Sequence, residues 1–87
     1  MIKIDRFRWI EWNVAKVEKH GVTIGEAEYV VRNARRPYPR RIGDEKWQVV
    51  GRGHGDRFVQ VIYVIDFDGT LFIIHAMPLT TRRRRGR

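Results

Sequence analysis

Trp12 to Val31 reads WNVAKVEKHGVTIGEAEYVV, two helices set back to back around the turn Lys19-His20-Gly21. Asn13 has the chemistry of an N-cap, a short side chain that accepts from the free amides of a first turn, and Trp12 and Val17 have the spacing of a hydrophobic staple. The first helix is expected to stop at Gly21. Glycine reaches the left-handed backbone that a C-terminal cap needs, and Lys19 and His20 place positive character at the negative end of the helix dipole. Thr23 and Glu26 then have capping-box spacing, Val22 and Ala27 repeat the staple, and Ile24, Ala27, Val30, Val31 and Ala34 form one apolar stripe. Neither short helix can bury its stripe alone, so a sheet has to follow.

Three strands are predicted downstream, over 46–52, 57–67 and 70–77. Asp68-Gly69 predicts a two-residue type I′ hairpin, which pairs Phe67 with Thr70, Tyr63 with Ile74, Ile62 with His75 and Val61 with Ala76. That register puts Val61, Tyr63, Ile65, Phe72, Ile74 and Ala76 under the helices. It leaves Phe58, Gln60, Ile62, Val64 and His75 on the other face. Gly53-His54-Gly55-Asp56 makes a looser hairpin, and Pro78 closes the last strand because it cannot donate to a ladder. Ahead of the helices, Ile2 to Ile10 predicts a short strand with a bend near Asp5-Arg6. Arg35 to Glu45, RRPYPRRIGDE, has no periodicity and reads as a loop, long for a compact domain and rich in arginine. The expected fold is one α+β domain over residues 1–79, with the two N-terminal helices on one face of a mostly antiparallel sheet of about four strands. Residues 80–87 form an arginine-rich tail, as a short helix or disordered.

With 87 residues, 43% of them hydrophobic, the chain supports one modest core. It contains no cysteine, which excludes disulfides and thiolate metal sites, and its 3 histidines are too scattered for zinc-ligand spacing. No metal or small-molecule cofactor is expected. The charged, alternating start MIKIDRFRW is unlike a signal peptide, and no apolar run approaches membrane-spanning length, so the expected location is the cytoplasm, with no membrane contact. The net charge of +8 falls to +3 when the five arginines of the tail are set aside. Arg35, Arg36, Arg40 and Arg41 form the second basic cluster. Arginine's planar fork suits phosphate or carboxylate, so the expected partner is a polyanion, an acidic protein, or each in turn; a merely solubilising tail is the bland alternative.

The motif Trp12-Asn13, Lys19-His20-Gly21-Val22-Thr23 and Glu26-Ala27 resembles that of the BrnT-type toxin family. These are small RelE-like ribonucleases of bacterial type II toxin–antitoxin modules. The resemblance continues through Gly51-Arg52, the apolar run Phe58 to Phe67, and Ile74-His75-Ala76-Met77 with Thr80 and Arg82, and so covers nearly the whole chain. His75 stands where the family has a small hydroxyl residue, and Met77 where it has arginine. The resemblance implies a RelE-like domain over 1–79 that binds RNA on the face away from the helices and cleaves it without metal. It also implies a cognate antitoxin partner, a DNA-binding ribbon-helix-helix protein.

Attack by a 2′-hydroxyl needs a base for that hydroxyl, an acid for the leaving oxygen and cations against the charge developing on phosphate. His75, on the open sheet face where Gln60 and the tail arginines can converge, is the candidate for acid or base; a half-buried strand histidine is its structural alternative. Arg52 and Arg57 face each other across the second hairpin in the simplest register. Like charges there want an anion between them, so the pair is the candidate phosphate clamp, with Arg82 and Arg83 beside it. Arg40 and Arg41 are candidate nucleic-acid contacts, and Tyr38, between two prolines, is the aromatic placed to touch a base or a partner. His54 sits in the glycine-rich hairpin, either reaching a phosphate or simply exposed. His20 reads first as part of the helix cap and second as a phosphate or antitoxin contact. Trp12 and Trp47 read as core. No paired carboxylates, nucleophile elbow, P-loop or Rossmann glycine pattern occurs. The rival readings are a non-catalytic nucleic-acid-binding module and a protein-interaction domain on the same fold.

Overall fold

A computed structural model describes residues 6–79. Helix α1 spans Glu11–Glu18 and α2 spans Ile24–Arg32; then come strands β1 (Arg40–Gly43), β2 (Lys46–Arg52), β3 (Phe58–Ile65) and β4 (Leu71–Pro78). The strands form one antiparallel sheet in the order β1-β2-β3-β4. This is the expected α+β arrangement of N-terminal helices on a four-stranded sheet. The tail and the start of the expected first strand lie outside the described residues. What is described of that strand is a single parallel bridge between Phe7 and Leu71. There the Arg8 N–H donates to the Leu71 carbonyl at 2.9 Å and the Leu71 N–H to that of Arg6 at 3.1 Å, so the chain enters along the outer edge of β4.

Helix α1 lies along β4, and α2 lies over β2 and β3. Val17, Val22, Ala27, Val30 and Val31 bury against Val49, Val59, Val61, Tyr63, Leu71, Ile73 and Ala76. Small β-branched side chains dominate this core because each lies flat on a pleated surface, and full burial of one contributes about 1.5–3 kcal/mol. Helix α2 begins as expected, with Thr23 Oγ1 accepting from the Glu26 N–H at 3.1 Å, and Gly21 takes a φ of +79° at the end of the first helix.

The start of α1 differs from expectation. The helix begins at Glu11 after an extended Ile10, and Asn13 is not its N-cap but its third residue, fully buried. Its Oδ1 accepts from the Ile10 N–H at 2.7 Å, and its Nδ2 donates to the Arg8 and Ile73 carbonyls, each at 3.0 Å. One amide therefore fastens a two-turn helix to the edge of the sheet. Asn13→Ala is expected to leave these groups unsatisfied and to cost about 2 kcal/mol, read as a lower urea midpoint with unchanged m value. Trp12 is also displaced from its expected core position. It is 49% exposed and stacks on Phe72 with ring centroids 6.1 Å apart, whereas Trp47 does pack against the core.

The β3–β4 turn is one residue longer than expected. Asp66 pairs with Thr70, the Gly69 N–H donates to the Asp66 carbonyl at 2.9 Å, and Thr70 N–H donates to Asp68 Oδ1 at 3.0 Å. Only Gly69 in this turn has positive φ, +89°, whereas a type I′ turn needs it at two successive positions. Phe67 is thereby left at the tip, 104% exposed. Pairs near the turn shift to Val64–Phe72 and Tyr63–Ile73. An irregularity at Ile74 then absorbs the extra residue, so that Ile62–His75 and Val61–Ala76 form as expected. Leu71 and Ile73, rather than Phe72 and Ile74, consequently face the helices.

The segment expected as a loop contains β1, an edge strand whose Arg40 pairs with Gln48 and Arg41 with Trp47. All four of its residues are exposed, so it carries no hydrophobic alternation for a sequence to display.

Candidate nucleic-acid interface

Cross-strand partners share a face, and the pairing sets out the side of the sheet away from the helices. One row runs Arg40, Gln48, Ile62, His75; the next runs Val50, Gln60, Met77; and Arg52 lies opposite Phe58. Phe58, Gln60, Ile62, Val64 and His75 thus lie together on that face, as expected. Gln60 does not turn toward His75, because its Oε1 accepts from Gln48 Nε2 at 2.9 Å.

The neighbours of His75 come from α1. The His20 and His75 ring centroids are 5.6 Å apart in an edge-on arrangement. Burial, and after it the charges of His20 and Lys16, hold His75 below the usual histidine value, so its imidazole is neutral at neutral pH. A neutral ring of this kind accepts a proton. His20 reaches it because Gly21 ends α1 beside β4, a juxtaposition that only the strand register reveals.

Arg52 and Arg57 do not face each other. Arg52 pairs with Phe58, and the Gly53 N–H donates to the Arg57 carbonyl at 2.7 Å, which puts Arg57 one step round the turn. The Arg57 guanidinium is committed inward: Nη2 donates to Glu26 Oε1 at 2.6 Å and to the Gly21 carbonyl at 2.9 Å, and Nε donates to Glu26 Oε2 at 3.1 Å. Glu26, 2% exposed, accepts in addition from the His54 N–H at 2.9 Å. Its charge offsets that of Arg57, and no arginine clamp forms. Glu26 is thus the residue whose role the capping-box spacing concealed.

Arg52 pairs with Asp56 on the hairpin and lies 5.1 Å above the Phe58 ring. His54 stands 5.3 Å from Tyr29 of α2. Tyr38 is partly buried against the core, with the Arg40 guanidinium 6.0 Å from its ring. Arg41 is exposed and its Nε donates to the Gly43 carbonyl at 3.4 Å. Arg82 and Arg83 lie outside the described residues. The structure therefore places Arg40 beside Tyr38 at the β1 edge, Arg52 and His54 at the β2–β3 hairpin, and His75 on the β4 side with His20.

Neighbouring strands lie about 4.8 Å apart and residues rise about 3.3 Å, so two strands and four residues separate Arg52 from His75 by about 16 Å. Arg52 thus starts well apart from His75 and is paired with Asp56 instead. Among the described residues no group of three or more His, Asp or Glu side chains is placed to hold a metal ion, and no helix is long and apolar enough to cross a membrane. No family model, curated protein or solved structure matches the chain.

Proposed function

We propose that the chain is a metal-independent endoribonuclease, the toxin of a type II toxin–antitoxin module resembling the BrnT-type, RelE-like toxins. The observation that carries the reading is the His20–His75 pair, a neutral imidazole beside a second one on the edge of the helix-free face. His75 takes the proton of a ribose 2′-hydroxyl as that oxygen attacks the adjacent phosphorus. His20 supplies a proton to the departing 5′-oxygen, and Lys16, whose charge reaches His75, opposes the negative charge gathering on the phosphate. The products are a 2′,3′-cyclic phosphate and a 5′-hydroxyl. Arg52 and Arg40, farther across the face, contact other phosphates of the same strand and so contribute salt-dependent affinity.

Val50, Phe58, Ile62, Val64 and Met77 give the helix-free face an apolar share that nucleic acid does not need, and this favours a protein cover as well. A cognate antitoxin, of ribbon-helix-helix type by the resemblance, fits that surface, with its acidic groups meeting Arg40 and Arg52. Cytoplasmic action on RNA is part of the same proposal.

The test is incubation with a structured RNA in excess chelator. Fragments ending in cyclic phosphate are expected. RNA that is bound and left whole would instead identify a non-catalytic nucleic-acid-binding module.

A further inference from the structure

Between the C-terminal end of α2, the loop that follows it and the far end of β2 lies a hollow that takes no part in the proton transfers above and shares only Arg52 with the phosphate contacts proposed there. Its volume, about 470 Å³, falls within the usual span of small-molecule sites, about 300–1,000 Å³. We propose that this pocket binds one nucleoside phosphate, with the base against Tyr29 and Tyr38 and the phosphate among Arg35, Arg36 and Arg52.

The charge argument comes first. Arg35, Arg36 and Arg52 all line the hollow, and no acidic residue does. Among the described residues Arg35 and Arg36 form no ion pair, and the partner of Arg52 is Asp56, on the hairpin outside the lining. The Arg35 and Arg36 guanidiniums repel each other unless an anion enters, whereas the charge of Arg52 is already offset by Asp56 and its remaining N–H groups add donors. Planar guanidinium forks match phosphate oxygens in pairs. Phosphate by itself has no use for aromatic walls, yet Tyr29, 46% exposed, and Tyr38 both line the space. A ring of either kind offers a stacking platform contributing about 1–3 kcal/mol per base. Asn33 spends its amide on the Tyr29 carbonyl at 2.8 Å, which leaves its Oδ1 to accept from a base amine. The floor is β2 itself: β1 pairs no farther than Gln48, so no strand covers Val50 and Gly51 on this side.

The ligand is a free nucleotide or one nucleotide of a single strand, since a base held in a duplex stack cannot present its face to a protein ring. Titration calorimetry on the full chain with 5′-AMP, 5′-UMP, adenosine and inorganic phosphate is the test. A nucleotide is expected to bind at least about tenfold more tightly than nucleoside or phosphate alone, a difference of about 1.4 kcal/mol. The R35Q/R36Q double variant is expected to weaken nucleotide and phosphate alike, and Y29L to weaken the nucleotide only. All three positions are exposed, so thermal unfolding of both variants should match the parent. Displacement of AMP by a short single-stranded RNA, and not by a duplex, assigns the ligand to a strand. Failure of both to displace it assigns a free nucleotide. Phosphate bound as tightly as AMP, or nucleotide affinity unmoved by either variant, overturns the proposal. None of these readouts requires RNA to be cut, so the pocket and the ribonuclease reading fail separately.

Discussion

Glu26→Ala is expected to lower the stability of the domain by about 3 kcal/mol and its Tm by about 12–24 °C. The carboxylate is buried and joins the start of α2, which carries it, to the β2–β3 hairpin through Arg57 and the His54 N–H; the Arg57 guanidinium it holds in place also donates to the Gly21 carbonyl of the helix–helix turn. The estimate sits at the low end of the range for breaking a buried pair because Arg57 keeps 39% side-chain exposure and can rehydrate. Glu26→Gln keeps the shape, loses the charge-assisted bonds, and should fall between parent and alanine variant. Gly53→Ala should act on the same joint, since a Cβ there would meet Glu26 Oε2 at 2.4 Å.

The pH dependence follows with a definite sign. Arg57's hydrogen bonds hold the Glu26 carboxyl below its ordinary value near 4.5, against the opposing effect of burial and with help from the His54 N–H. The unfolded chain therefore takes up this proton first as pH falls. The stabilisation is complete above about pH 4.5 and is lost as pH drops through the folded value. Urea denaturation between pH 7 and pH 3 should show a steeper acid loss for the parent than for Glu26→Ala. Parallel curves would mean the pair contributes nothing.

His75→Ala is expected to reduce RNA cleavage by about 10²–10⁴-fold, the usual worth of a positioned proton-transfer group. Loss of a half-buried strand side chain also threatens stability, so the pH profile supplies a second readout that packing would not move. Because burial and the neighbouring His20 and Lys16 depress His75, the acid limb of kcat/KM should fall below pH 6.5. Lys16→Gln removes one depressing charge and should move that limb upward. An acid limb unchanged in Lys16→Gln, or cleavage unchanged in His75→Ala, would remove His75 from the chemistry. His20→Ala should cost a similar factor, and the double variant less than the product of the two, as groups acting in one step do.

Local signals were legible in the sequence where a local interaction decides the structure. Thr23 capping α2, Gly21 ending α1, the three long strands and the buried stripe Ala27, Val30 and Val31 all depend on residues within a turn of one another. Misreadings arose where a distant partner claimed a residue with a plausible local role. Asn13 resembles an N-cap, yet the Ile73 carbonyl, 60 positions away, takes half of its amide. Glu26 has capping-box spacing from Thr23, and its carboxylate goes to Arg57 instead. The hairpin register failed by one residue because Asp68 does not adopt the positive φ of a type I′ turn, and the irregularity at Ile74 hid the error at His75. Strand β1 had no pattern to find, since an edge strand exposed along its length draws its stability from its neighbour. The arginine clamp was lost to the same register detail that made Arg57 structural, while the His20–His75 pair needed the packing of α1 along β4.

The most direct measurement compares cleavage of one RNA oligonucleotide with cleavage of the same oligonucleotide carrying a single 2′-deoxyribose at the cut position, both in excess chelator. The account predicts that cutting at that position stops while cutting elsewhere continues, with cyclic phosphate ends on every product. Equal cutting of the two substrates at that position would contradict attack by the 2′-hydroxyl, and with it the role given to His75.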